Sequence, residues 1–262
     1  MSTGTVPTPE TGAQLLRALE RTGPHPVLAW YGEAARIELS GHVLANWVIK
    51  SIGHLHDEIA LEPGDLVVLD LPPHWKRLVL ALAAWALGAE VTVLEQGDGP
   101  GAGASAGLEE VRVVVTDQPA SELAGGADEV LALEPVSLAP RYAGELPPLV
   151  HDWLAEVRGS SDRLGVALPA WSGPTASSGS PAPDGDSTPD GPTATSGHPA
   201  TTSGPSASDG VSASPPRLLV AEDGLSAVPQ VLGALLAGGG IVGPAAVVTE
   251  RQAQEESVTG RL

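Results

Sequence analysis

Few side chains in this chain could do chemistry, and they are scattered. Gly103-Ala104-Ser105-Ala106-Gly107 has the G-x-S-x-G spacing of a nucleophile elbow, where a sharp strand-to-helix turn presents a serine to a histidine base. Pro100-Gly101-Ala102 precedes it in place of a strand end, and the strand-like run Val111 to Thr116 follows with no helix between. The pattern therefore reads as a glycine-rich loop. Gly101, Gly103 and Ala106 also mimic a relaxed dinucleotide fingerprint, but the helix whose N-terminus would meet a pyrophosphate is missing. His54 and His56, with Asp57 and Glu58, have metal-binding residue types. Residues two apart on a helix point away from each other, so a solvated helix end with histidines near its negative pole is the reading. His74 beside Trp75, and the pair His151-Asp152, read as structural. No catalytic residue, metal ligand or cofactor is assigned, and the cofactor-binding residues are unknown.

The elements that would position these groups alternate between extended and helical. Val27 to Tyr31 and Arg36 to Leu39 read as strands, and Ser40 is an N-cap candidate for the helix that follows. On that helix Val43, Leu44, Trp47, Val48, Ile52 and Leu55 recur at steps of three and four, which marks one buried face. Glu62-Pro63-Gly64-Asp65 punctuates the chain before the apolar run Leu66 to Leu69, the pattern of a buried parallel strand. Pro72 and Pro73 stop that strand, and a helix from about His74 runs to Leu87. Strands follow at Glu90 to Leu94, Val111 to Thr116 and Glu129 to Leu133, with a glycine-rich loop from Gly97 to Gly107 and a short helix near Ser121. Leu146 to Arg158 reads as a helix. The last predicted elements are a strand at Arg217 to Val220, a helix at Leu225 to Ala237 and a strand at Ile241 to Val248. This alternation predicts an α/β fold, a mostly parallel sheet with helices on both faces.

Between these blocks, Pro169 to Pro216 contains no Lys, Arg, Leu or Ile and is built mainly from Ser, Thr, Gly, Pro, Ala and Asp. Such a segment cannot bury enough apolar surface to offset the entropy of ordering. The expected organisation is an α/β domain over 1–168, ordered from about residue 26. A disordered insert over 169–216 follows, and 217–262 completes the same domain and adds a polar tail.

Composition excludes several classes of function. Acidic residues outnumber basic ones 32 to 13, a formal charge of −19, so phosphate polyanions and anionic membranes are repelled. Only Lys50 and Lys76 are lysines, and there is no cysteine to form disulfides, thiolate metal sites or thiol nucleophiles. The first residues lack a basic and an apolar region, so no secretory signal is read and the cytoplasm is the expected compartment. Leu78 to Leu87 is too short to span a bilayer, and Val228 to Val248 is broken by Pro229, Gly238, Gly239, Gly240 and Pro244.

Four successive elements carry a family resemblance. Arg36-Ile37-Glu38-Leu39-Ser40 with its helix, Glu62-Pro63-Gly64-Asp65 with its strand, and Leu71-Pro72-Pro73-His74-Trp75 with a helix closing on Leu87-Gly88-Ala89 resemble the opening of AMP-forming acyl-CoA synthetases and their adenylate-forming relatives. Val113-Val114-Val115-Thr116-Asp117 looks like that family's next core strand. Leu235-Leu236-Ala237-Gly238-Gly239 is similar to its helix-then-glycine segment beyond the phosphate loop. The chain as a whole resembles a group of short actinobacterial proteins related to that N-terminal region, with Val150-His151-Asp152-Trp153 through Arg158 and Asp162-Arg163 contributing.

The resemblance implies a Ser/Thr/Gly-rich loop ending in lysine, whose backbone N–H groups and cation hold ATP phosphates. Thr195-Ser196-Gly197 and Thr202-Ser203-Gly204-Pro205 echo the start of such a loop, yet no lysine follows Lys76. The family's aromatic-glycine-x-threonine-glutamate segment, its ribose-binding aspartate and its lysine-bearing C-terminal domain are not met within the 262 residues. Without these groups little would stabilise the charge that develops as pyrophosphate leaves. The expectation is a non-catalytic or degenerate relative of the adenylate-forming N-terminal domain, acting as a binding or interaction module. Its partner is unidentified, with another protein or a second copy the candidates. Two alternatives stand beside it: part of a ligase completed by a separate chain, and an α/β hydrolase using Ser105.

Overall fold

Every second residue of the strands faces a shared layer of helices, and that alternation organises the molecule. The computed structural model describes residues 6–32, 36–94, 110–136, 138–175 and 214–262. Strands β1 (Pro26–Tyr31), β2 (Arg36–Ser40), β8 (Arg217–Leu219), β9 (Gly240–Gly243) and β10 (Gly260–Arg261) form one five-stranded sheet in the order β10-β8-β9-β1-β2. The β1/β2 pair is antiparallel and the other neighbours are parallel. Strands β3 (Leu66–Asp70), β4 (Glu90–Val93), β5 (Val111–Thr116), β6 (Glu129–Ala132) and β7 (His151–Asp152) form a second sheet, wholly parallel, in the order β4-β3-β5-β6-β7. The predicted fold class is the observed one, divided over two sheets.

Helices α1 (Gly12–Thr22), α2 (Gly41–Gly53), α3 (Trp75–Ala86) and α6 (Val228–Leu236) pack on one another and on the two sheets. Leu28 and Trp30 of β1, with Ile241 beside Leu28 on β9, enter the same core as Val67, Leu69, Val113 and Val115. Ala29, Leu219 and Val242 point to the opposite side of the first sheet, where Ala253 of α7 (Glu250–Glu255) covers them. Val68 and Val114 point outward from the second sheet toward Leu123 of α4 (Glu122–Gly125). All twelve residues of α3 are buried, as expected of a helix that is apolar nearly all round and enclosed on every side. Among the described residues no helix is long and apolar enough to cross a membrane.

Local signals account for most boundaries. The Ser40 hydroxyl accepts from the Val43 N–H and caps α2. Gly64 and Gly88, both at positive φ, are joined by a Gly64 N–H to Gly88 carbonyl bond of 2.9 Å that links the turns before β3 and after α3.

The structure departs from the sequence reading in four places. Helix α1 lies ahead of the expected start of order at about residue 26; apart from Gly12, its buried face is only Leu15, Leu16, Ala18 and Leu19. The helix expected over Leu146 to Arg158 is confined to α5 (Trp153–Val157), because Pro147 and Pro148 disfavour helix and Asp152 is the N-cap. The strand expected to run from Ile241 to Val248 stops at Gly243, since Pro244 has no N–H for the ladder. The helix expected from Leu225 begins as a 3₁₀ turn, Leu225–Ala227, before α6.

Of the expected insert, 176–213 lies outside the described residues, as do 95–109 with the Gly97 to Gly107 loop and Ser105. The described start of the insert packs on the body: Ala170 bridges Thr11, the Trp171 N–H donates to the Glu10 carbonyl at 2.9 Å, and the Ser172 hydroxyl donates to the Ala89 carbonyl at 2.7 Å.

Candidate functional site

Open α/β sheets bind ligands at the C-terminal ends of their strands, so the end of the second sheet is the first place to look. There the Thr116 hydroxyl donates to Asp70 at 2.9 Å and accepts from the Gln118 N–H at 2.9 Å. Burial, and then the charge of Asp70, push the Asp117 carboxyl above its usual range. Tyr142 reaches this end, where its hydroxyl donates to the Asp117 carbonyl at 2.9 Å. The Lys76 ammonium donates to the Glu134 and Val136 carbonyls at 2.8 and 2.7 Å. Burial lowers the Lys76 pKa to about 8. Side chains and main-chain carbonyls of the chain itself thus pair with one another at this end of the sheet.

Next to Lys76 on α3, Arg77 joins the two sheets. Its guanidinium donates to both oxygens of Asp223, at 2.6 and 3.1 Å, and to the Leu71 carbonyl at 3.0 Å; Arg77 and Asp223 are each 1% exposed. The His74 N–H also donates to Asp223, at 3.2 Å. His74 Nδ1 accepts from the Lys76 N–H and caps α3. Burial, aided by the Lys76 charge, drives the His74 pKa down to about 3, so its imidazole is neutral at pH 7.

A third cluster lies at the far edge of the same sheet. Helix α2 runs into a π-helical turn, His54–Glu58, which buries both His54 and Leu55. His54 Nε2 lies 3.0 Å from Glu156 Oε2, and His151 Nδ1 lies 2.8 Å from the same oxygen. Burial raises the Glu156 carboxyl, but hydrogen bonds from His54 and His151 outweigh it and the net shift is downward. Its other oxygen accepts from the Asp152 N–H at 3.2 Å. Sequence reasoning singles out His54 and His151 separately; the fold sets their rings 6.1 Å apart. It misses Glu156, which is 102 residues from His54, and only the spacing of five from His151 could have flagged it. His56 is not part of the cluster and pairs with Asp57 at 2.7 Å. Asp152 caps α5 through the Ala155 N–H.

On the first sheet, an open cavity of about 1050 Å³ is lined by residues that include Arg21, Tyr31, Arg36, Arg217, Gly238 and Glu256. Glu256 anchors one wall, accepting from Tyr31 at 2.9 Å and from Arg36 and Arg217 at 2.6 Å each. Burial pushes the Glu256 carboxyl up, and these three donors, Arg217 foremost, bring it below its usual range. No short sequence motif marks this groove, because its residues come from both ends of the chain.

Known proteins with the same arrangement of sheets and helices define its class. The chain has the fold of the N-terminal region of adenylate-forming enzymes. The N-terminal subdomain of Klebsiella oxytoca NpsA, solved with 3-hydroxybenzoyl-AMSN, superposes with a TM-score of 0.56 at 12% identity, covering 100% of this chain and 61% of that one. The amide bond synthetase McbA of Marinactinospora thermotolerans gives 0.55 at 15% identity, covering 95% and 48%. In sequence, the chain is similar to a TIGR03089 family protein of Mycobacterium tuberculosis, 34% identical over 163 residues. That match takes in 61% of this chain and spans 64% of the relative's length. No family model matches the chain.

Proposed function

We propose that these residues act as a binding or interaction module on the adenylate-forming N-terminal fold and do not themselves catalyse adenylation. The observation that carries this reading is the fate of the two lysines. Lys76 commits its ammonium to the Glu134 and Val136 carbonyls and is 1% exposed, while Lys50 donates to the Arg158 and Ser160 carbonyls. A lysine that serves a triphosphate must present its charge to the phosphates, and withdrawing either ammonium here would strip main-chain carbonyls of their donor. The deeply buried Arg77 is likewise held by Asp223, and the surface field of a −19 chain opposes a polyphosphate. The groove bounded by Arg36, Arg217 and Glu256 supplies a concave surface of mixed polar and apolar character for a partner or ligand.

The test is turnover and binding together. Purified chain, incubated with ATP, Mg²⁺ and a panel of carboxylic acids, is expected to release no AMP or pyrophosphate above a protein-free blank. Calorimetric titration with ATP is expected to show no saturation below millimolar concentration. Formation of an acyl-adenylate by the isolated chain overturns the proposal.

A further inference from the structure

The cluster of His54, His151 and Glu156 has the construction of a metal centre. Among the described residues these three offer one ligand atom each, all within 4.8 Å of one another. Tetrahedral zinc with bonds of about 2.0 Å sets its ligand atoms roughly 3.3 Å apart. The separations from Glu156 Oε2 to His54 Nε2 and His151 Nδ1 are 3.0 and 2.8 Å, so an ion would enter after small movements of these side chains.

The surroundings orient each donor. His151 turns its second nitrogen, Nε2, toward Glu129 at 3.5 Å, and Glu129 in turn lies 3.7 Å from Arg112. A carboxylate so placed can orient the ring once the contact closes to a hydrogen bond, with the opposite nitrogen free to ligate. The Asp152 N–H holds Glu156 Oε1 and so aims Oε2 at both imidazoles. Burial fixes the His54 ring, which is 1% exposed, and the π-helical turn places it; such turns recur at functional sites. As a hydrogen-bonded set alone, His151 faces a carboxylate with each of its nitrogens, and a cation between Nδ1 and Oε2 satisfies the same geometry. Access exists from the solvent side, where the His151 and Glu156 side chains are 28% and 38% exposed.

We propose that His54 Nε2, His151 Nδ1 and Glu156 Oε2 bind a divalent transition metal of the zinc class, with one coordination position left toward solvent. Imidazole with carboxylate suits zinc, cobalt and nickel over calcium or magnesium. The ion ties the end of α2 to the edge strand β7 and to α5, and leaves its open position for water or for a group on a partner. The centre lies apart from the groove of the first sheet and needs no nucleotide, so it stands whether or not the chain adenylates.

The experiment uses the untagged chain, stripped with chelator and exchanged into metal-free buffer. Zn²⁺ titrated by calorimetry is expected to bind one equivalent at micromolar affinity or tighter, and to raise the melting temperature. Co²⁺ in its place is expected to give the intense visible bands of low-coordinate cobalt, without which the assigned ligand set fails. His151→Ala and Glu156→Gln, both at partly exposed positions, are expected to bind at least tenfold more weakly. Glu129→Gln is expected to lose about tenfold because it no longer orients the His151 ring, and His56→Ala to bind as the parent does. Circular dichroism confirms that each variant is folded, and the parent titration stands whether or not they are. Absence of one-equivalent binding by the parent, or parent-like affinity in both His151→Ala and Glu156→Gln, overturns the assignment.

Discussion

A guanidinium enclosed between two sheets must find its counter-charge inside the protein, and Arg77 finds it in Asp223. Two hydrogen bonds at 2.6 and 3.1 Å, with both side chains 1% exposed, make this the most deeply buried ion pair among the described residues. Removing Asp223 leaves the buried Arg77 with only the half-exposed Glu222, 3.3 Å away, as counter-charge, and breaking a buried pair costs up to about 3–5 kcal/mol. Asp223→Ala is therefore expected to lower the unfolding free energy by about that amount, as read from urea or guanidinium titrations. The double variant Arg77→Met with Asp223→Leu, which strands no charge, is expected to lose less. Neither residue stands out in the sequence: Arg77 reads as one basic residue on an alanine-rich helix, and Asp223 as one more acid in an acidic chain. What distinguishes them is a contact across 146 positions.

At the scale of elements, the strongly patterned segments are legible. The apolar face of α2 and its Ser40 cap, the Pro63-Gly64-Asp65 turn, the run forming β3 and the alanine-rich α3 all fold as their local chemistry dictates. Helix α1 carries a local signal as well, with Leu15, Leu16 and Leu19 at helical spacing on one face and Arg17, Glu20 and Arg21 outside it, and its stability comes from packing that face. That packing is close at Gly41, the first residue of α2. A Cβ there would collide with the Leu19 main-chain oxygen and crowd Thr22 near the end of α1. Gly41→Ala is thus expected to push the two helices apart and to cost about 1–3 kcal/mol of stability, measured by thermal or chemical denaturation. Parent-like stability would show that the helices separate without penalty.

The whole molecule places one layer of helices between two sheets, so the two sheets share their main core. A single apolar cluster includes Leu28 and Trp30 of the first sheet, Val67 and Val115 of the second, and the helices between. Stability then belongs to the assembly as a unit. Unfolding followed by tryptophan fluorescence and by far-ultraviolet circular dichroism is expected to give coincident transitions. Two separated midpoints would mean that one sheet holds its structure without the other.

The sequence by itself determined the α/β class, the order of most elements and the family likeness, since periodicity, caps and proline or glycine breaks act over a few neighbouring residues. Tertiary structure alone decided that the strands divide into two sheets, that Lys76 turns inward to main-chain carbonyls, and that His54 meets His151 and Glu156. Those outcomes depend on which surfaces pack together, and pairings between residues far apart in the chain leave no local trace in one sequence.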